Sequence, residues 1–337
     1  MRMLLTGAGG FLGRRLAGSL LAAGVAKLRL HFRQKAPAGM LEDLRARYPE
    51  ALIEPVAANL ATRQGLQEMI GDADCIVHAA AGMRGATADM FANTVVGTRN
   101  LLEAAGNLGV RRIVLTSSFA VFRTVDLPTG SVLSEQCGVE GSGVEKGPYG
   151  YAKTRQEQVF REMQSRFGFD WAIVRPGVIH GPGGAALSPR VGIQAMGLFF
   201  SLGGGATLPL SFVENCADAI ALVALRAPSG SVFNAVDDDL PSCGDYLRAY
   251  RQRVRKLRVV PVPYWLLLMG ARGFVRYNRV SGGQLPAIMT PYTVRSMFRP
   301  LSYSNQALKD LGWRQRVPTA HALDLLFTHL SARSGQA

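Results

Sequence analysis

The chain has 337 residues, 48% of them hydrophobic and 18% charged, with 38 glycines, a composition that excludes a disordered or fibrous protein and fits a packed enzyme with many backbone turns. Its formal net charge of +14 is concentrated late, since no Asp or Glu occurs from Tyr246 through Lys309. That stretch suits a solvated arginine-rich surface, an anionic substrate or an acidic membrane surface; no recognition motif or basic and aromatic platform accompanies it, which argues against nucleic acid.

Residues 2–6, RMLLT, predict a strand, and Leu12, Leu16 and Leu20 before Gly24 predict an amphipathic helix behind a glycine turn. The glycines interrupt the opening apolar run too soon for a signal-peptide core. KLRLHF from 27 alternates apolar with polar residues, and further strands are predicted at ALIEPV (51), CIVHAA (75), RRIVLTSS (111), WAIVRP (171) and SVFNAV (231). Helical patterns lie between most of them, notably MFANTVVGTRNLLEAA from 90 to 105 and the segment after Tyr149. Strands alternating with helices imply parallel pairing, hence an α/β fold with a doubly wound parallel sheet, the Rossmann architecture. Past about residue 180 the pattern loosens. The expected organisation is a dinucleotide-binding domain over 1–180, completed by about 210–236, with 181–337 forming mainly a smaller C-terminal substrate lobe.

YWLLLMGARGF at 264–274 is broken by Gly270 and Arg272, short of the roughly 20 apolar residues a membrane span requires. An internal helix, a subunit contact or peripheral membrane contact are its remaining readings. Cys75, Cys137, Cys216 and Cys243 lie far apart, without the spacing of a zinc site or a redox dithiol. They read as reduced thiols of a cytoplasmic protein, with no metal.

TGAGGFLG places Gly7, Gly10 and Gly13 between the first strand and helix. Gly7 permits the sharp turn, Gly10 lets backbone approach a pyrophosphate and Gly13 lets the helix pack closely; Phe11, Leu12 and Arg14 stand at the helix start, where free N–H groups attract an anion. The spacing differs by one residue from the usual dinucleotide fingerprint. The end of the second strand carries His31, Phe32 and Arg33 with no acid. A carboxylate there would serve the ribose hydroxyls of NAD(H), whereas Arg33, helped by Arg14, could fork onto a 2′-phosphate, so NADP(H) is favoured over NAD(H). Asn59 and Leu60 follow the third strand as candidate adenine contacts, with a turn role as the plain alternative for the asparagine.

KGPYGYAKTRQEQ, residues 146–158, sets Tyr149 four residues before Lys153 and Tyr151 only two before it. On a helix the first pair shares a face and the second does not. An ordinary ion pair of Lys153 with Glu157 is the structural alternative. Together with HAAA at 78–81, TSS at 116–118 and RPGVIHGPG at 175–183, these motifs resemble the extended short-chain dehydrogenase/reductase family, whose epimerase/dehydratase and 3-beta-hydroxysteroid dehydrogenase-like branches fit best. SFVENCADAI at 211–220 and ALKDLGW at 307–313 extend the likeness over nearly the whole chain, and it is weakest between about 240 and 300.

The resemblance implies that Ser118 hydrogen-bonds the reacting oxygen, Tyr149 exchanges the proton and Lys153 lowers the Tyr149 pKa from its usual value of about 10 while binding the nicotinamide ribose. Thr116 and Ser117 are rival donors one or two residues away. Ala79 and Ala80 become cofactor contacts, Pro176 and Val178 flank the carboxamide, and His180 stands where the family often has tyrosine, facing substrate. His78 reads as structural. Aligning Gly97 and Thr98 puts Thr94 where the family has asparagine and leaves Asn93 one position early. A homodimer through helices that include the one bearing Tyr149 is also implied.

The expected function is an NADP(H)-dependent oxidoreductase interconverting a carbonyl and an alcohol on a small-molecule substrate, anionic or lipid-like. A nucleotide-sugar epimerase or dehydratase with retained nicotinamide, and a non-catalytic cofactor-binding scaffold, are the alternatives.

Overall fold

Met3, Leu4 and Leu5 of the first apolar run are all fully buried, as expected of a parallel strand covered by helices on both faces. This computed structural model describes residues 1–83, 85–142, 144–280 and 290–334. The run is β1 (Arg2–Thr6), followed by α1 (Phe11–Ala22), β2 (Lys27–Phe32), α2 (Met40–Arg47), β3 (Leu52–Ala57), α3 (Leu66–Ile70) and β4 (Cys75–His78). Next come α4 (Thr87–Phe91), α5 (Gly97–Asn107), β5 (Arg112–Thr116), the short β6 (Val132–Leu133), the long α6 (Gly147–Phe167) and β7 (Asp170–Pro176).

Beyond them lie β8 (Val178–His180), β9 (Gly192–Ala195), β10 (Leu198–Ser201), β11 (Leu210–Phe212), α7 (Val213–Arg226) and β12 (Ser231–Ala235). The chain continues through α8 (Cys243–Arg253), β13 (Val259–Pro261), α9 (Tyr264–Val280), α10 (Pro291–Phe298), β14 (Ser302–Tyr303), α11 (Gln306–Asp310) and α12 (Thr319–Ser334).

Seven strands form one parallel sheet in the order β12-β7-β5-β4-β1-β2-β3. Connections run in opposite directions from β1, so a crevice opens at the carboxyl ends of β1 and β4, where open α/β sheets bind ligands. One face buries α1 and α7 through Leu16, Leu20, Ile220 and Val223. The other buries α5 and α6 through Leu101, Ala105, Val159 and Phe160. Pro55 sits in β3, an edge strand of the sheet, where the missing N–H breaks no ladder. The later segment contributes β12 to the other edge, while β9, β10 and β13 make a small separate sheet. Of the basic stretch 246–309, residues 281–289 lie outside the described residues.

The helix expected from 90 to 105 is present, but it widens into a π-helical turn at Ala92–Val96 between α4 and α5. Two hydrogen bonds made by Thr94, inside the turn, fit this wider winding. Thr94 Oγ1 accepts from the Gly82 N–H at 2.9 Å, and the Thr94 carbonyl accepts from the Thr98 hydroxyl at 2.5 Å. Such turns occur often at functional sites.

Candidate active site

The glycine turn is shaped by contact. Gly7 has φ of +73°, and a Cβ there would lie 2.9 Å from Ala80 Cα; a Cβ on Gly13 would lie 2.1 Å from the Gly7 carbonyl oxygen. Only glycine allows β1, β4 and α1 to meet so closely. Gly10 caps α1 without a side-chain hydrogen bond, and the first turn holds no acid. Its first N–H groups therefore remain available to an anion, and the residues present fit a dinucleotide pyrophosphate.

His31 holds this turn in place. Its Nε2 lies 3.0 Å from the Ala58 carbonyl, which can only accept, so Nδ1 carries the lone pair that receives the Gly7 N–H at 3.4 Å. Burial pushes the imidazole below its ordinary pKa. Arg33, just past β2, is exposed, as is Arg14, whose Nε donates to the Gly9 carbonyl at 3.0 Å. Phe11 packs under Gly184, and half-buried Leu12 packs on α7 and β8 residues Val213 and Ile179.

Asn59 spends Oδ1 on the Ala61 N–H at 3.1 Å, forming a turn at the end of β3. Leu60 was expected to cover an adenine face. Instead it is buried, its Cβ 3.1 Å from where a Cβ on Gly97 would stand, and its carbonyl accepts from Asn100 Nδ2 at 3.0 Å. Its side chain therefore belongs to the core beneath α5. Ala79 and Ala80 are half-buried at the end of β4, with the Ala80 N–H donating to Thr6 Oγ1 at 3.2 Å. Pro176 is buried and Val178 half-buried at the turn after β7, the Val178 N–H donating to the Pro209 carbonyl.

Tyr149 and Lys153 both lie in the first half of α6, which packs on the short turn Phe119–Val121 that Ser118 caps. The three candidate hydroxyls after β5 separate by partner. Ser117 Oγ donates to Glu157 at 2.5 Å; Thr116 Oγ1 is buried with no partner among the described residues. Ser118 Oγ accepts the Ala120 N–H at 3.2 Å and lies beside the Tyr149 phenol, where it partly opposes the upward push of burial on the phenol's pKa. Glu157 does not pair with Lys153. It takes a two-pronged contact from Arg175, at 3.0 and 2.8 Å, with both side chains buried.

The Lys153 ammonium was expected to lower the Tyr149 pKa. In the folded chain the net direction is upward: burial raises the phenol, and the opposing pull comes from Ser118. Lys153 instead spends two of its three donors on the Thr116 carbonyl and Gln156 Oε1, each at 2.9 Å. Burial lowers the amine to about 8, with Glu157 opposing the shift.

Gln156 was not singled out by the sequence reading, yet it connects the lysine to a buried chain of polar groups. Its Nε2 donates to Thr98 Oγ1 at 2.9 Å, and His78 bridges Thr98 and Thr6 at 2.8 and 2.7 Å. Because Thr98 gives its proton to the Thr94 carbonyl, it accepts from His78 Nε2, and Nδ1 accepts from Thr6. Burial, with Lys153 nearby, pushes His78 down to about 3. His78 is thus a neutral structural link. The signal for Gln156 was its place three residues after Lys153, which puts both on one helix face.

Tyr151 stacks on Phe91 with centroids 5.8 Å apart. Asn93 returns its amide to the Asp89 carbonyl at 2.7 Å. His180, expected to face substrate, is 2% exposed, packed on Phe212 with Nε2 3.5 Å from Asp237. A substrate could reach it only by displacing those neighbours. The large open groove of about 1310 Å³ lined by Arg14, Arg47, Tyr48 and Arg316 contains none of Ser118, Tyr149 or Lys153. Side-chain chemistry, not cavity size, places the candidate site at the end of β5.

The model of the NAD dependent epimerase/dehydratase family matches residues 3–235. A ketoreductase acting on 4-hydroxy-2-methyl-3-oxo-4-farnesyl-3,4-dihydroquinoline-1-oxide, from Stigmatella aurantiaca, is 29% identical over 243 residues, 70% of this chain and 68% of that protein. The 2-alkyl-3-oxoalkanoate reductase of Stenotrophomonas maltophilia is 28% identical over 231 residues, 64% of this chain and 63% of that protein. The crystal structure of Thermus thermophilus UDP-glucose 4-epimerase in complex with NAD shares the fold at a TM-score of 0.69 and 19% identity, covering 98% of this chain and 99% of that one. With the family's model matched from β1 through the last strand of the main sheet, this chain belongs to the NAD dependent epimerase/dehydratase family.

Proposed function

We propose that the chain is an NADP(H)-dependent oxidoreductase that interconverts a carbonyl and an alcohol, and that Tyr149 is its proton donor and acceptor. The observation that carries this reading is the half-buried Tyr149 phenol, four residues before Lys153 on α6 and packed against the turn that Ser118 caps. A phenol above 10 is protonated at neutral pH and can give its proton to a carbonyl oxygen. A bound nicotinamide would supply the hydride to the carbonyl carbon or take it from the alcohol. In reduction, Ser118 orients the carbonyl oxygen, the Tyr149 O–H bond breaks as that oxygen becomes a hydroxyl, and solvent returns the proton to the phenolate. Lys153, with two donors held by Thr116 and Gln156, keeps the third for the cofactor ribose.

Arg33 stands exposed after a second strand whose end lacks a carboxylate, which supports NADP(H). Gly7, Gly10 and Gly13, with Phe11, Leu12 and Arg14 at the helix start, would hold the pyrophosphate. Asn59 would reach the adenine, and Ala79, Ala80, Pro176 and Val178 would line the nicotinamide side. Two curated relatives reduce oxo groups by name, which supports a ketone substrate with an apolar tail.

The test is NADPH and NADH oxidation with 2-alkyl-3-oxoalkanoates and apolar ketones, for the wild type and Tyr149→Phe. The variant should lose about a hundredfold or more in kcat while NADPH still binds, as followed by its fluorescence. Undiminished turnover in Tyr149→Phe would remove the proposal. Nucleotide-sugar epimerisation is favoured instead by the family description and the basic second lobe; protein that turns over UDP-sugars without added cofactor would select it.

A further inference from the structure

Helix α9 runs from Tyr264 to Val280, and its two sides have opposite surroundings. Leu267, Leu268 and Ala271 pack inward with Leu202, Val294 and Phe298. Residues on an α-helix step by about 100°, so Trp265, Met269, Arg272 and Arg276 form one stripe on the other side. Trp265 is 61% exposed and Met269 55% exposed, and Leu266, Tyr277 and Val280 beside them are also exposed. Both arginines are exposed as well.

The apolar surface continues past the helix. Phe200 of β10, which packs against the same buried cluster as Leu267 and Leu268, is in register with Ile193 of β9 and Val260 of β13. Paired residues share a sheet face, and Ile193 and Val260 are both exposed. A shallow groove of about 310 Å³, lined by Val262, Leu266, Gly270 and Phe274 among others, lies along the same helix.

We infer that this face docks on an anionic phospholipid bilayer, lying in its interface without crossing it. Among the described residues no helix is long and apolar enough to cross a membrane. An exposed tryptophan and methionine continued by two arginines along one stripe, with an exposed tyrosine beside it, is a composition that seats a helix at the headgroup level. Charge selects the occupant. The sequence holds no acid from Tyr246 through Lys309, so a second copy placed face to face would bring like charges together, whereas phosphate headgroups complement them. The inference is independent of the carbonyl chemistry proposed above, because vesicle binding tests it without turnover.

The experiment is co-sedimentation with vesicles of phosphatidylglycerol and phosphatidylcholine, and of phosphatidylcholine alone, at low and high salt. The full chain should sediment with the anionic vesicles, weaken with salt, and stay in solution with the neutral ones. Trp265→Ser with Met269→Ser should reduce binding to background. Arg272→Gln with Arg276→Gln should weaken it about tenfold or more, and Arg63→Gln with Arg99→Gln, which removes the same charge elsewhere, should not. Thermal melting verifies that each variant is folded. Equal weakening by both arginine pairs would reduce the effect to net charge and overturn the inference. Unchanged binding by the Trp265 and Met269 variant would also overturn it, as would a lipid-free dimer, seen by light scattering, that this variant dissociates.

Discussion

Lys153 donates from Nζ to the side-chain oxygen of Gln156 at 2.9 Å, and Gln156 passes the chain of contacts to Thr98 at 2.9 Å. The lysine is therefore aimed by a neighbour one turn along its own helix. Gln156→Met would leave a buried ammonium short of a partner, at a cost of about 1–3 kcal/mol. The expected result is a fall in kcat of about tenfold or more with little change in substrate KM. Gln156→Glu keeps an acceptor and adds a negative charge, so it should recover part of the rate and move the alkaline limb of the pH profile upward. A purely structural role would move neither.

Lys153 sits at about 8 in the folded chain. Its ammonium is present below that pH and lost above it, so kcat/KM for reduction should decline above about pH 8. Tyr149 is raised rather than lowered, and its own deprotonation belongs to higher pH. A profile of kcat/KM against pH that stays level to about 10 would show that the lysine charge is not needed.

Arg33 is exposed beyond a strand whose end carries no carboxylate. Arg33→Ala should raise the KM for NADPH about tenfold or more, the worth of a charge-assisted hydrogen bond. The KM for NADH should stay nearly unchanged, because only NADPH carries the 2′-phosphate. Equal effects on both cofactors in steady-state assays would place the phosphate elsewhere.

His78 titrates at about 3 when folded, and His31 is also lowered. Their unfolded value is about 6.5, so the unfolded chain binds more protons below that pH. The sign follows: stability present above 6.5 is lost as pH falls toward 3. Urea midpoints should drop over this window by the equivalent of a few kcal/mol. A His78→Gln variant should have lower stability at neutral pH and a shallower decline in acid.

Glu157 accepts from Arg175 and Ser117 in a setting where both members of the ion pair are buried. The Arg175 guanidinium also lies 4.7 Å over the Phe122 ring. Arg175→Met would strand the carboxylate, and loss of one partner of a buried pair costs about 3–5 kcal/mol. Thermal unfolding should report the loss directly. The effect should be larger than that of Arg63→Ala, whose ion pair with Glu103 joins a 77% exposed side chain to its partner.

The sheet was legible because its signals are local. Apolar runs between helical repeats set strand identity, and glycine at 7, 10 and 13 marked the crevice before any contact was known. Tyr149 and Lys153 were legible for the same reason, since four-residue spacing already fixes a shared helix face. Their electrostatics were not. Sequence spacing brought Lys153 toward Tyr149, whereas folding brought β5 against α6 and gave the lysine a carbonyl from Thr116, at a separation of 37 residues.

Leu60 and His180 show the same limit, because their burial depends on Gly97 and Phe212, which only packing brings near. The amino-acid order by itself determined the alternation of strand and helix, the glycine turn after the first strand and the tyrosine–lysine spacing, all products of short-range geometry. Tertiary structure alone decided which serine meets the phenol, which way its pKa moves and which face of α9 stays open. Those depend on desolvation and on partners distant in the chain, and neither can be read from neighbouring residues.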